Sequence, residues 1–310
     1  MKTRVTEHPN LPAFGGNMEE RQKPLRIGAW QFPVSGHIQE NYDHILKGIE
    51  EAEQKEVRLL IFPECALTGY PPLSIPDSNV DFGALEKIYA RLQQKSDETG
   101  ISLLVGSITK EGEARRDSAL LFSPHAPLQR YDKRALGGWD SIHFTGGTGT
   151  GLFNVDGFRI AVRICFEVRF PELFREIYRE GADLCLLLFH DTLSADDPEY
   201  YEIIKSHLRS RAAENVLPLL SVNATAPVQA APTAFFSSDG RVLSEADRGR
   251  ESMLICDFSG REISGSGQRR AVWIDRFANP YPPLPKENPG CPSALNRFPP
   301  HAPVPGLSSR

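Results

Sequence analysis

Three polar residues stand where strand-like runs end, and their types together suit nucleophilic attack on a polarised carbon. LLIFPECALTGYPP (59–72) delivers Glu64 just past a short apolar run. The carboxyl edge of a buried strand is where α/β proteins form their binding crevices. Partial burial there raises a carboxylate's pKa toward the range useful for proton transfer. LQRYDKRAL (128–136) puts Lys133 at the end of a strand-like run. An ammonium beside a nucleophile stabilises a thiolate and the oxyanion of a tetrahedral intermediate. FRIAVRICFEVRFPELFREIYREGADL (158–184) ends an alternating strand on Cys165, ahead of a turn into a helix. Backbone N–H groups at such a junction are free to receive a developing oxyanion.

Taken singly, each residue also has an ordinary reading. Glu64 alone reads as a solvated turn carboxylate, Lys133 as a surface lysine beside Arg134, and Cys165 as one more inert buried thiol. Cys185, inside LCLLLF, fits that last description, and Cys65 reads as a small packing residue next to Glu64. Asp132 reads as a solvated neighbour of Lys133 or as a tuner of its charge.

The elements that must position these side chains follow from periodicity. RIGAWQF (26–32) is strand-like; Ile38, Tyr42, Ile45, Ile49 and Ala52 then fall at helical spacing and form one apolar stripe. VRLLIFPE (57–64) reads as a buried strand, and a helix near 83–98 leads into a strand at ISLLVGSI (101–108). Further strands are expected at SALLFS (118–123), PLQRYDK (127–133) and FRIAVRIC (158–165). A helix opened by Pro171 and closed before Gly181 precedes ADLCLLLF, and a helix over roughly 197–215 precedes LPLLSV (217–222). Strand–helix alternation with apolar strands indicates an α/β fold, its sheet covered by helices on at least one face. Consecutive strands between 101 and 165 make the sheet mixed.

Composition bounds the function class. The 310 residues, 40% apolar and 24% charged, are those of a globular protein, and a net charge of −5 argues against nucleic-acid or anionic-membrane partners. No apolar run approaches the roughly 18 residues that span a bilayer. Five scattered cysteines without CxxC spacing read as reduced thiols, and no signal-type apolar segment opens the chain, so a cytoplasmic location is expected. Residues 1–24 read as a flexible N-terminal extension, 25–275 as the folded domain, and 276–310, with ten prolines in 35 residues, as an extended tail. Phosphate-loop and GxSxG motifs are missing, and the eight histidines lack metal-ligand spacing. TGGTGTG (145–151) reads as a loop and SGSG (264–267) as a flexible turn.

Together the three segments are no longer generic. FPECALTGYPP, RYDKRAL and ICFEVRFPELFREIYREGADL, in this order, resemble the Glu, Lys and Cys segments of the nitrilase superfamily of carbon–nitrogen hydrolases. RSRAAENVLPLLSVNAT (209–225) and SSDGRVL (237–243) are similar to that family's helix–strand segment and late hairpin. The resemblance covers roughly residues 25–257. It implies a four-layer α-β-β-α sandwich with mixed sheets, a homodimer or higher homo-oligomer, and neither metal nor organic cofactor.

It further implies Cys165 as nucleophile, Glu64 as general base and acid, and Lys133 with the backbone N–H of Phe166 as stabilisers of the tetrahedral intermediate. Where many members carry a second glutamate, WDSIHFTGG (139–147) offers Asp140, either a shorter substitute or a turn residue. Phe166-Glu167 is intermediate between branches, whereas Arg169-Phe170-Pro171-Glu172 resembles the amide-cleaving branch, so a small linear amide or carbamoyl amide is expected as substrate. His190 and Asp191 are pocket candidates, read otherwise as polar loop residues; Arg211 and Glu214 are scaffold braces. Nitrile cleavage by the same three residues, and a non-catalytic binding protein on the same fold, are the competing readings.

Overall fold

A computed structural model of the chain describes residues 23–74 and 80–278. The chain divides into two compact units with the boundary between Ala271 and Val272. The expected extension (1–24) lies outside the described residues except for Lys23 and Pro24. The proline-rich tail (276–310) lies outside them except for its first three residues.

The first unit holds two six-stranded mixed sheets. One runs in the order β14-β1-β2-β3-β4-β5: Ser252–Phe258, Leu25–Gln31, Leu59–Ile61, Ser102–Glu111, Ala114–Phe122 and Gln129–Asp132. The other runs β13-β12-β10-β8-β7-β6: Val242–Glu245, Ala234–Phe236, Leu219–Asn223, Leu184–Phe189, Phe158–Ile164 and Leu152–Val155. In each sheet the three central strands are parallel (β1, β2, β3 and β10, β8, β7) and the outer pairings antiparallel. A two-stranded ribbon joins β9 (Thr192–Leu193) to β11 (Val228–Gln229).

Side-chain alternation along the strands builds the layers. Leu25, Ile27 and Ala29 of β1, Leu59 and Ile61 of β2, Ile160, Val162 and Ile164 of β7, and Leu184, Leu186 and Leu188 of β8 share one core between the sheets. The intervening Trp30, Leu60, Leu103 and Val105 face the other way, toward α1 (Ile38–Gln54) and α2 (Phe82–Thr99). Cys185, Leu187 and Phe189 pack under α4 (Pro171–Arg179) and α5 (Pro198–Asn215). Helix, sheet, sheet and helix therefore stack in that order. The expected stripe of α1 faces inward, with Tyr42, Ile45, Ile49 and Ala52 buried and Ile38 packed at its edge.

Several expectations are corrected. The strand expected over 57–64 is only β2, because Pro63 stops the ladder and the chain turns at once. FRIAVRIC does not alternate in burial; only Arg159 of β7 is exposed, since helices cover its outer face. The SGSG segment is not a free turn but the start of α6 (Gly265–Ala278), with Ser264 Oγ accepting the Gly267 N–H at 3.0 Å as an N-terminal cap. Among the described residues, no helix is long and apolar enough to cross a membrane.

The turn after β2 is held by close approach of β3. A Cβ on Gly106 would stand 2.2 Å from the Pro63 carbonyl oxygen, 2.6 Å from Cys65 N and 2.7 Å from Glu64 Cα. All three are backbone atoms with nowhere to go. Gly106→Ala is therefore expected to destabilise the protein by at least about 3 kcal/mol, the upper end for overpacking, measured as a lowered urea midpoint. A change below about 0.5 kcal/mol would show that β3 and the turn can separate freely.

Candidate active site

The carboxyl ends of the parallel strands converge at one edge of the inter-sheet core. Glu64 follows β2, Cys165 follows β7, His190 and Asp191 follow β8, and Asn223 closes β10. Lys133 comes immediately after β5, the edge strand of the sheet that holds β2, and Asp140 opens α3 (Asp140–His143). The structure brings Glu64, Lys133, Asp140 and Cys165 into one neighbourhood, although 101 positions separate Glu64 from Cys165.

Lys133 is its centre. The side chain is 1% exposed, and Nζ donates to Glu64 Oε1 at 2.7 Å, Asp140 Oδ2 at 2.7 Å and Asp117 Oδ2 at 3.1 Å. The three protons of the ammonium are thus all engaged. Burial disfavours the charged amine, but Glu64, Asp117 and Asp140 outweigh it and hold its pKa well above the usual lysine range. The three carboxylates come within 4.8 Å of one another, a donor set of metal-binding kind, and here the cation among them is the lysine.

Glu64 is fixed at both oxygens. Its second oxygen, Oε2, accepts the His190 backbone N–H at 2.7 Å, and its own N–H donates to the Phe189 carbonyl at 3.2 Å. Asp140 is likewise held, accepting the Tyr70 hydroxyl at 2.5 Å on Oδ1. It is therefore buried and ion-paired rather than a solvated turn residue. Asp132, by contrast, turns away from the ammonium and accepts from Ser118 Oγ and Arg130 Nε at 2.6 and 3.1 Å.

Cys165 begins a tight turn (Cys165–Arg169) between β7 and α4, with a left-handed φ of 43° that non-glycine residues seldom adopt. Such strain persists only when surroundings over-determine it, and two buried side chains do so. Glu167 accepts the Ile164 N–H at 2.7 Å on one oxygen, and the Tyr131 hydroxyl and Arg134 N–H at 2.7 and 2.8 Å on the other. Arg211 of α5 donates to the carbonyls of Val168 and Arg169 at 2.9 and 3.2 Å, and pairs with Glu214 at 2.7 Å. The pKa of the thiol is pushed well above the usual cysteine range, by burial first and by the facing Glu64 carboxylate second, against the pull of Lys133.

The thiol floors a cavity of about 370 Å³. Phe166, Phe189 and Ile204 give it apolar walls, and Asp191, Arg169 and Tyr200 give it a polar end. The Tyr200 hydroxyl donates to Asp191 Oδ2 at 3.2 Å, and Arg169 Nη2 donates to the same hydroxyl at 3.2 Å. Asn223 clamps the Asp191 backbone through both amide atoms, at 2.9 and 2.8 Å. A second cleft, about 430 Å³ beside Arg248 and Pro227, is larger but holds none of these reactive groups.

Of the two pocket candidates, Asp191 lines the cavity, whereas His190 lies behind it, stacked on Tyr70 at 5.5 Å with Nε2 3.2 Å from Ser74 Oγ. Sequence reasoning missed Asp117, Tyr70 and Tyr200, and it treated Glu167 only as a branch marker.

Burial lowers the His190 imidazole from the usual 6.5 to about 4, with Lys133 adding to the effect and Glu64 opposing it. The unfolded chain therefore binds this proton between those two values and the folded one does not. Stability falls as pH drops through that window. Between pH 7 and pH 5 the loss is expected to be about 2 kcal/mol, read by urea denaturation, and His190→Gln is expected to lack it. Equal pH slopes in the two proteins would remove His190 as the source.

Comparison with known proteins gives the family and the fold. The carbon–nitrogen hydrolase family profile matches residues 26–264. N-carbamoylputrescine amidase of Arabidopsis thaliana is 25% identical over 292 residues, covering 85% of this chain and 96% of that protein. Omega-amidase NIT2 of Xenopus tropicalis is 26% identical over 253 residues, covering 74% and 87%. Among solved structures, a mutant amidase from Nesterenkonia sp. AN1 shows covalent addition of the acetamide moiety of fluoroacetamide at its active site cysteine. It superposes with a TM-score of 0.68 at 23% identity, covering 78% of this chain and 93% of that one. The chain belongs to the carbon–nitrogen hydrolase family and has the α-β-β-α fold of the nitrilase-superfamily amidases.

Proposed function

We propose that the protein hydrolyses the C–N bond of a small linear amide or carbamoyl amide through a thioester on Cys165. The observation that carries this reading is a cavity-lining thiol facing a carboxylate, Glu64, that a buried ammonium holds at 2.7 Å. The amidase-type relatives and the Arg169-Phe170-Pro171-Glu172 segment support the amide branch.

Because its pKa is held high, Cys165 rests as a thiol, and attack must be coupled to proton removal. Sγ bonds to the carbonyl carbon as Glu64 takes the thiol proton. The oxyanion forms against the Phe166 backbone N–H and the positive charge of Lys133. Since that ammonium's protons are already engaged, Lys133 acts through its charge unless one carboxylate releases it. Glu64 then protonates the leaving nitrogen and the C–N bond breaks, leaving the thioester. A water attacks the thioester carbon while Glu64 accepts its proton; the C–S bond breaks, the carboxylic acid leaves, and the proton returns to sulfur. Asp140 keeps the ammonium in place, and Asp191 with Tyr200 sets the far end of the substrate.

A cytoplasmic, homodimeric enzyme belongs to the same reading, the first from the scattered reduced cysteines and the second from the family resemblance.

Ammonia release from panels of small amides, carbamoyl amides and nitriles is the direct test. Turnover of amides is expected, and Cys165→Ala, Glu64→Gln and Lys133→Met should each lower kcat/KM by at least about 10³-fold. Iodoacetamide should label Cys165 before the fully buried Cys65. Turnover of nitriles alone would reassign the substrate, and a labelled but inert wild type would favour a binding protein.

A further inference from the structure

The buried cluster holds more negative charge than its one cation balances. Glu64, Asp117 and Asp140 are 1%, 1% and 2% exposed, and all three contact the Lys133 ammonium. The neighbouring His190 is neutral near pH 7, and the Cys65 and Cys165 thiols are protonated there. With every carboxyl ionised, the cluster would carry two uncompensated charges away from water, which buried groups avoid by taking up a proton.

Donor inventory says which carboxyl takes it. Glu64 receives two strong donors, the ammonium and the His190 N–H, both at 2.7 Å. Asp140 receives the ammonium at 2.7 Å and the Tyr70 hydroxyl at 2.5 Å. Asp117 receives the ammonium at a longer 3.1 Å, and its other oxygen has only the weakly donating Cys65 thiol at 3.7 Å. Ionised oxygens are stabilised by donors, and Asp117 has the poorest set.

We infer that Asp117 is the carboxyl that stays protonated in the resting site, a positioning residue that hydrogen-bonds Glu64 and holds it in place for its work as base. The groups facing it are Glu64 and Cys65 from the turn after β2, Lys133 after β5 and Asp140 from α3. Burial first, and then Glu64 against the pull of Lys133, move its pKa well above the usual aspartate range, in the same direction as the donor count. No proton leaves the site in the cycle proposed above; Asp117 only sets the base. A neutral Asp117 has the shape and donor capacity of an asparagine, which makes the assignment testable.

The protonation state itself does not depend on the hydrolase reading; only its kinetic consequence does. Infrared spectra of the wild type at pH 7 are expected to show the carbonyl band of a buried carboxylic acid. The band should shift when aspartate, not glutamate, carries carbon-13 in its carboxyl. It should vanish in Asp117→Asn and persist in Asp191→Asn, which separates it from the other aspartate that burial pushes up.

In turnover, Asp117→Asn should stay within about threefold of wild type while Asp117→Ala loses about tenfold or more, the order of one lost hydrogen bond. The alkaline loss of kcat/KM caused by Asp117 ionisation should be missing from the asparagine variant. A band that follows the glutamate label, or no such band in the labelled wild type, overturns the assignment without any variant having to fold. A hundredfold loss in Asp117→Asn with the wild-type pH profile overturns it from the other side. Absence of turnover in all proteins with the infrared result intact would reject the hydrolase reading and keep the proton.

Discussion

One ammonium buried among three carboxyl groups is the constraint around which the site is arranged. Lys133 draws Glu64 from one strand end, Asp117 from the middle of another strand and Asp140 from a short helix to a single point. Ion pairs in such a place do not stabilise a protein cheaply, because desolvation opposes their attraction. Removing one partner, however, strands the rest, at a typical cost of about 3–5 kcal/mol. The cluster is therefore better understood as a fixture that sets geometry and charge than as a source of stability.

The fold supplies the edge on which that fixture sits. Parallel central strands end their ladders together, so β2, β7, β8 and β10 each release a polar residue at the same border of the inter-sheet core. Glu64, Cys165, Asp191 and Asn223 lie within three residues beyond such an end, or are the last residue of the strand itself. The strained turn at Cys165 is then pinned by Glu167 and Arg211, neither of which needs to touch a substrate. Rigid strands set position, and buried polar side chains set orientation.

Much of this was legible in the sequence because Glu64, Lys133 and Cys165 each stand at the end of a strand-like run, and the family resemblance of the three segments lifted them above their ordinary readings. The major strands and helices also followed from periodicity. Asp117 was not legible, since it stands between Arg116 and a run that begins at Ser118, where a charged residue reads as an exposed strand end. A signal existed: two-residue spacing puts it on the same face as Ala119 and Leu121, which face the inter-sheet core. Tyr70 and Tyr200 reach the site from a loop and from the first turn of a helix, so only tertiary packing reveals them. The late strands β12 and β13 lack a long apolar run and were seen only through resemblance, as one hairpin, and β14 was not read from the sequence at all.

Helix α5 carries two duties on one rod. Near its start Tyr200 forms part of the cavity wall, and about three turns later Arg211 grips the carbonyls of Val168 and Arg169, in the turn that Cys165 opens. A shift of that rod to admit a bulkier acyl group would also tug the sulfur out of line. On the proposed thioester route, substrate range and reactivity would thus be mechanically geared together, and a variant selected for a wider mouth would have to recover its chemistry through compensating changes along the same helix.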